Sequence, residues 1–206
     1  MCGIVGYTGK EAAAPIILNG LSKLEYRGYD SAGMATFNEQ TNGIEIVKTK
    51  GRLKNLVEKT DGGKGMPGGC GIGHTRWATH GVPSKANAHP HCSDDRMVVV
   101  VHNGIIENYQ ELKEHLLQKG YTFYSETDTE VVTKLIDYYY TETEHDPLKS
   151  MSSALLRVRG SYALGIMFMD RPGVIYAARK DSPLIFGQNE EGAFIASAVP
   201  AILSYT

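Results

Sequence analysis

The chain opens with MCGIVGY, residues 1–7, and this stretch directs the interpretation of everything that follows. Residues 4–8 form a short β-branched run that is typical of a strand, and Cys2 stands just before it. If Met1 is removed, Cys2 carries a thiol and a free α-amine on one residue. Because an α-amine titrates near pKa ~7.7–8.0, it can take the proton from its own thiol and activate it. The alternative is a small residue that merely follows the initiator.

Composition and charge narrow the class of protein. A chain of 206 residues can bury one large core or two small ones. The net charge of -2 leaves no basic footprint, so we expect no nucleic-acid partner. Three cysteines (Cys2, Cys70 and Cys92) at unrelated spacings argue against a disulfide framework and indicate a reducing compartment. With no apolar run of membrane-spanning length and no signal peptide, we predict a cytoplasmic location and no membrane partner.

The hydrophobic pattern predicts a mixed α+β fold. Short β-branched runs predict strands at 4–8, 33–37, 44–50, 97–102, 164–169, 174–179 and 193–197. Helical spacing predicts one helix that ends at Gly28 and others at 109–119 and 130–140, with a further helix starting at Asp146-Pro147. Asn108 is the predicted N-cap of the second of these, and Tyr139 is expected to be buried. Because the strands come in clusters, layered α+β packing is favoured over a doubly wound sheet.

Two conspicuous features give no cofactor or metal prediction. The glycine-rich run 61–69 lacks the residues that complete a phosphate-binding motif, so we interpret it as a connecting loop. The run 89–92 (His-Pro-His-Cys), even with His74 and His80, matches no zinc-ligand spacing.

Four polar segments, 25–33, 73–81, 102–108 and 127–130, could together support hydrolysis of an amide by a thiol. The tetrahedral oxyanion needs two donors, and the Asn103 side chain beside the Gly104 N–H supplies them. Arg76 suits a substrate α-carboxylate, and Asp128 suits an α-ammonium. Each residue also has a simpler interpretation: a tight turn at Asn103-Gly104, a helix cap at Asp128, or a surface ion pair at Arg27.

The combination of motifs resembles the glutaminase domain of the class II glutamine amidotransferases. The matching segments occur in the family's order over nearly the whole chain, at 2–6, 27–33, 73–81, 102–104 and 127–130. Within this class, segments 29–31 and 76–80 are most similar to the glutamine–fructose-6-phosphate aminotransferases. The amidophosphoribosyltransferases usually differ at both segments.

The resemblance implies a fold and a set of residue roles. The fold is the N-terminal nucleophile hydrolase sandwich, with four layers in the order αββα. Cys2 would form a γ-glutamyl thioester, with no cofactor and no metal. The other implied site residues are Asn103 and Gly104 for the oxyanion, Arg76 and Asp128 for the substrate's charged groups, Trp77, Thr79 and His80 for a loop that closes over glutamine, and Arg27 for orienting the surroundings of the nucleophile.

The resemblance also implies partners. Residues 1–206 would be a glutaminase domain truncated at its C-terminal end, with the sugar-isomerase domains absent. The implied partners are L-glutamine and those missing domains, in a full-length homo-oligomer. Two alternatives stay open: the glutaminase of another class II amidotransferase, from the purine or asparagine pathway, and a catalytically silent module that binds glutamine.

Overall fold

Two antiparallel sheets face each other at the centre of the molecule. The computed structural model describes residues 2–78 and 81–206. In this part of the chain the strands are β1 (Gly3–Gly9), β2 (Ser31–Asn38), β3 (Gly43–Lys50), β4 (Cys70–Arg76), β5 (His91–Cys92), β6 (Val98–Ile106), β7 (Gly160–Phe168), β8 (Tyr176–Lys180), β9 (Ile185–Gln188) and β10 (Gly192–Ala196). One sheet has the order β3-β2-β4-β1-β10-β9 and the other the order β5-β6-β7-β8.

Helices cover the outer face of each sheet. They are α1 (Ala13–Ser22), α2 (Leu53–Lys59), α3 (Tyr109–Gln118), α4 (Asp128–Glu142) and α5 (Pro147–Leu155). One core joins α1 and α2 to the six-stranded sheet, a second joins the other helices to the four-stranded sheet, and a third lies between the sheets. The layers therefore run helix, sheet, sheet, helix. No helix in residues 2–78 and 81–206 is long and apolar enough to cross a membrane.

The valine run of β6 is explained by burial of both faces of its strand. Val98 and Val100 pack into the core shared with the helices, whereas Val99 and Val101 pack between the sheets. Successive side chains of a strand point to opposite faces, so a strand buried on both sides is apolar without alternation. This strand ends at the polar residues that were predicted to act on an oxyanion.

Strand β4 was not among the predicted strands. It runs through Cys70-Gly71-Ile72-Gly73 and pairs with both β1 and β2 at the centre of its sheet. Glycine is depleted in strands, so the sequence pattern is weak here. Packing explains the glycine at position 73: a Cβ there would lie 2.4 Å from Ile17 Cγ2 of α1. The strand is glycine-rich because a helix lies close against it.

The helices confirm one detail of the sequence interpretation and correct two others. Asn108 stands at the N-cap of α3, as predicted, but its side chain makes no capping bond: its Nδ2 donates to the Arg157 carbonyl and its Oδ1 accepts from the Arg159 N–H. Thr127 caps α4 by accepting a hydrogen bond from the Glu130 N–H, so Asp128 is the first helical residue. Tyr140, not Tyr139, is the buried tyrosine of that helix.

Candidate active site

A cavity of about 300 Å³ opens where β1 begins, β4 and β6 end and α4 starts. Its size is at the lower end of the range of small-molecule sites. Every predicted site residue that the structure describes lines it: Cys2, Arg27, Arg76, Trp77, Asn103, Gly104 and Asp128. Thr79 and His80 lie outside the described residues. The topology thus brings together segments that are more than a hundred residues apart in sequence.

Cys2 lies at the beginning of β1, partly exposed at the cavity wall. Its Sγ contacts the backbone of Trp77: the Trp77 N–H donates to the sulfur at 3.2 Å, and the thiol donates to the Trp77 carbonyl at 3.4 Å. Burial raises the pKa of the Cys2 thiol above its ordinary value, an effect that the Trp77 N–H partly offsets. A thiol in this environment is mostly protonated at neutral pH and needs a base to become a nucleophile.

Asn103 and Gly104 lie side by side in the last part of β6. The Asn103 Nδ2 donates to the Cys2 carbonyl at 3.0 Å, which ties the amide directly to the cysteine residue. Gly104 has φ of +126°, and a Cβ at this position would lie 2.2 Å from the Ser161 carbonyl oxygen. Only glycine fits here. The strand therefore presents an amide side chain and a glycine backbone together at the cavity wall.

Arg76 ends β4 as a buried cation. Its Nη2 donates to the Gly81 carbonyl at 3.0 Å, and its Nη1 lies 3.7 Å from Asp30 Oδ1. Asp30 also donates its backbone N–H to the Arg76 carbonyl at 3.2 Å. These contacts fix the guanidinium at the cavity wall, where it can attract a carboxylate.

Asp128 is buried at the first turn of α4. Its Oδ2 accepts a hydrogen bond from the Ile106 N–H at 2.9 Å, so the carboxylate links the end of β6 to the helix. Arg76 and Asp128 thus supply one fixed cation and one fixed anion to the same cavity. A free amino acid carries the complementary pair of charges.

Trp77 and Arg27 line the cavity, and each contacts the ring of a neighbouring tyrosine. Trp77 is 47% exposed and packs edge-on against Tyr29, with ring centroids 5.5 Å apart. The Arg27 Nε donates to the Tyr26 hydroxyl at 3.0 Å, and its guanidinium lies 5.6 Å from the Tyr26 ring centroid. Arg27 lines the cavity, and Tyr26, which is not a lining residue, holds its guanidinium.

Sequence reasoning did not predict that buried histidines cluster at the cavity, where His89 and His102 line the wall. His74 stacks on His89 with ring centroids 4.0 Å apart, and His89 meets His91 at 5.0 Å. His102 lies beside Asn103, and its Nδ1 is 2.9 Å from Thr129 Oγ1. No local pattern marks this group, because its members come from separate segments that only the fold brings together. Among the described residues no group of three or more ligand-type side chains is arranged to hold a metal ion.

The matched family defines the class of this chain. Residues 74–204 match the glutamine amidotransferase domain, which is more than half of the chain. The chain therefore belongs to the glutamine amidotransferase domain family.

Individual relatives agree with this class. The chain is 57% identical, over its whole length and 33% of the relative's, to the glutamine–fructose-6-phosphate aminotransferase of Clostridium tetani. It is 52% identical, over its whole length and 34% of the relative's, to the enzyme of that name from Pyrococcus horikoshii. The chain thus spans about a third of the length of these curated relatives.

A solved structure confirms the predicted fold. The glutamine phosphoribosylpyrophosphate amidotransferase of B. subtilis, in complex with ADP and GMP, superposes with a TM-score of 0.82 at 27% identity. The match covers 98% of this chain and 43% of that one. The N-terminal nucleophile hydrolase sandwich, in the α+β class, is therefore confirmed, as is the resemblance to class II amidotransferases.

Proposed function

We propose that this chain hydrolyses L-glutamine to glutamate and ammonia, with Cys2 as the nucleophile. The observation that carries the proposal is the convergence on one cavity of a thiol, an Asn-Gly pair, a buried cation and a buried anion. Family membership supports glutamine as the amide donor. The two fixed charges suit the α-carboxylate and α-ammonium of a free amino acid, with Arg76 binding the first and Asp128 the second.

The reaction begins with proton transfer from the Cys2 thiol to the α-amine that removal of Met1 exposes. The sulfur then attacks the glutamine δ-carbon and forms a tetrahedral oxyanion. The amide carbon–nitrogen bond breaks as the amine returns its proton to the leaving ammonia, which leaves a γ-glutamyl thioester on Cys2. Water attacks the thioester, the carbon–sulfur bond breaks, and glutamate and the free thiol are released.

The raised pKa of the Cys2 thiol makes this base necessary. A buried thiol is a weak nucleophile until a neighbouring group removes its proton. The α-amine of Cys2 lies on the same residue and titrates in the right range. The roles of Thr79 and His80 in covering the substrate stay predictions, as does that of Arg27.

Asn103 and Gly104 are the proposed oxyanion donors. The Asn103 Nδ2 carries two hydrogens, of which one is used by the Cys2 carbonyl. The other is available to an oxygen beside Cys2. Donors fixed before the reaction stabilise the charge that develops in the transition state without reorganising.

The curated relatives suggest the fate of the ammonia. Their name describes transfer to fructose 6-phosphate, and the chain spans about a third of their length. We therefore propose that ammonia from this site serves amino-sugar synthesis by sugar-isomerase domains outside these residues, in a homo-oligomer. Sequence identity of 57% to such a relative favours this pathway over the purine pathway, because a solved regulatory enzyme of purine biosynthesis is 27% identical. The free state of Cys2, Cys70 and Cys92 supports a reducing, cytoplasmic location.

Ammonia release from L-glutamine tests the proposal. The sample is the chain with Met1 removed, verified by intact mass, and the variant is Cys2→Ala. We expect hydrolysis by the wild-type chain, none above background in the variant, and no amino sugar from either when fructose 6-phosphate is added. Cys92→Ala is the matched control, because Cys92 is also partly exposed but lies outside the cavity. Hydrolysis that survives in Cys2→Ala would overturn the mechanism, and an inactive Met1-free chain that binds glutamine would identify a silent module.

A further inference from the structure

We infer that His74 is a positioning residue that fixes the Asn103 amide in the orientation needed to bind the oxyanion. The inference rests on the proposed function and adds a residue to which no role has been given. His74 lies in the middle of β4, opposite Ile4 of β1 and Gly33 of β2. It is fully buried and does not line the cavity, so it acts on the reaction through Asn103.

The contacts of His74 determine which of its ring nitrogens carries the proton. Its Nε2 lies 3.0 Å from the His102 carbonyl oxygen and 3.0 Å from Asn103 Oδ1. Both partners are acceptors, so Nε2 must be the donor. The Nδ1 atom is buried with no hydrogen-bond partner among the described residues. A tautomer protonated at Nδ1 would lose both bonds and gain none.

This donor determines the orientation of the Asn103 amide. With Oδ1 held by His74, the Nδ2 end points to the Cys2 carbonyl at 3.0 Å. A flipped amide would place Oδ1 against the Cys2 carbonyl oxygen and Nδ2 against the Nε2–H of His74. Both contacts would be repulsive, because the first would pair two acceptors and the second two donors. His74 therefore keeps the N–H groups of Asn103 on the side of the nucleophile.

The surroundings hold His74 in this state. Burial lowers the pKa of His74 to about 3, so the ring is neutral at physiological pH. The ring of His89 stacks against it at 4.0 Å and 30°, which restricts rotation of the imidazole. A neutral, packed ring with a single tautomer is a rigid donor.

Substitutions at position 74 distinguish the effect of the hydrogen-bond donor on kcat from the effect of ring packing. His74→Phe keeps a ring against His89 and removes the donor. We expect kcat for glutamine hydrolysis to fall about tenfold, less than the ~10²–10³ that follows complete loss of an oxyanion donor, with KM changed by less than about twofold. His74→Gln carries an amide N–H at nearly the reach of Nε2 and should restore most of kcat. His74→Asn, one methylene shorter, should not.

A double-substitution cycle with Asn103→Ala gives the decisive readout. If His74 acts through Asn103, His74→Phe should change kcat by less than about twofold once Asn103 is alanine, because coupled residues are non-additive. His91→Phe is the matched control: His91 is equally buried, but its nitrogens contact Tyr124 and Thr127, so its effect should add to that of Asn103→Ala. Thermal melting of each variant reports folding.

The outcomes are distinguishable. Independent, additive losses for His74→Phe and Asn103→Ala would overturn the positioning role, as would equal activities of His74→Gln and His74→Asn. If His74→Phe does not fold, the Gln and Asn variants carry the same cycle, since both keep a polar amide. A wild-type chain that is folded, free of Met1 and unable to hydrolyse glutamine would instead overturn the proposed function, and the positioning role with it.

Discussion

The two sheets contribute different kinds of groups to the cavity. The six-stranded sheet supplies the partly exposed thiol of Cys2, which contacts the backbone of Trp77, and the buried cation of Arg76. The four-stranded sheet and α4 supply Asn103 and Asp128, each held by hydrogen bonds to buried groups. The reacting thiol is thus partly exposed at the cavity wall, whereas the groups that bind charge are buried and fixed in advance. This division is what electrostatic catalysis requires.

Removal of the proposed oxyanion donor, the Asn103 amide, should have the largest effect among the buried, charge-binding groups. We expect Asn103→Ala to lower kcat for glutamine hydrolysis by ~10²–10³, with a much smaller change in KM, because the donor acts on charge that develops in the transition state. Steady-state ammonia release measures both constants. A rise in KM with unchanged kcat would mean that Asn103 binds the substrate and does not stabilise the oxyanion.

Substitution of Asp128, the buried anion, tests its proposed role in binding the α-ammonium of glutamine. Asp128→Asn keeps an oxygen that can accept from the Ile106 N–H but removes the charge. We expect KM for glutamine to rise ~10–100-fold, since a hydrogen bond to a charged group contributes about 1.5–3 kcal/mol. Asp146→Asn is the matched control: Asp146 also stands at a helix start, where it caps α5 away from the cavity. Equal effects of the two substitutions on KM would refute a binding role for Asp128.

The buried histidines predict how acid affects stability. Burial lowers the pKa of His74 to about 3 and the pKa values of His89 and His91 well below 6.5. As the pH falls below 6.5, the unfolded chain binds protons that the folded chain cannot. The free energy of unfolding should therefore hold above pH 6.5 and then fall, with up to about 1.4 kcal/mol per pH unit from each histidine.

Urea unfolding at several pH values between 7 and 5 measures this slope. His91→Phe removes one titrating group, so its stability should depend less steeply on pH than that of the wild type, whatever its stability at pH 7. An unchanged slope would show that His91 binds protons equally in the folded and unfolded chains, against the lowered pKa.

The sequence predicted the charge-binding residues of the site better than the residues that hold them in place. The valine strand and the start of α4 have strong patterns, so the positions of Asn103 and Asp128 followed from local signals. Strand β4 has no such pattern, because Gly73 packs against α1. The link from His74 to Asn103 joins residues on different sheets, and no local pattern encodes it.

At the N-cap of α3 the position was predicted correctly, but the side-chain contacts were not. Asn108 has the side chain of a good N-cap, yet it bonds the backbone of residues 157 and 159 instead. Local propensity gave way to a contact that only the packed structure provides.

In the proposed mechanism Cys2 is activated by its own α-amine, so the rate of hydrolysis depends on whether that amine is free. Two samples of the wild-type chain, one with Met1 removed and one with Met1 retained, would be verified by intact mass and compared by glutamine-dependent ammonia release. We expect retained Met1 to lower the rate of ammonia release by ~10²–10⁴, the usual contribution of a general base, with no change in thermal stability. Equal rates in the two samples would contradict it.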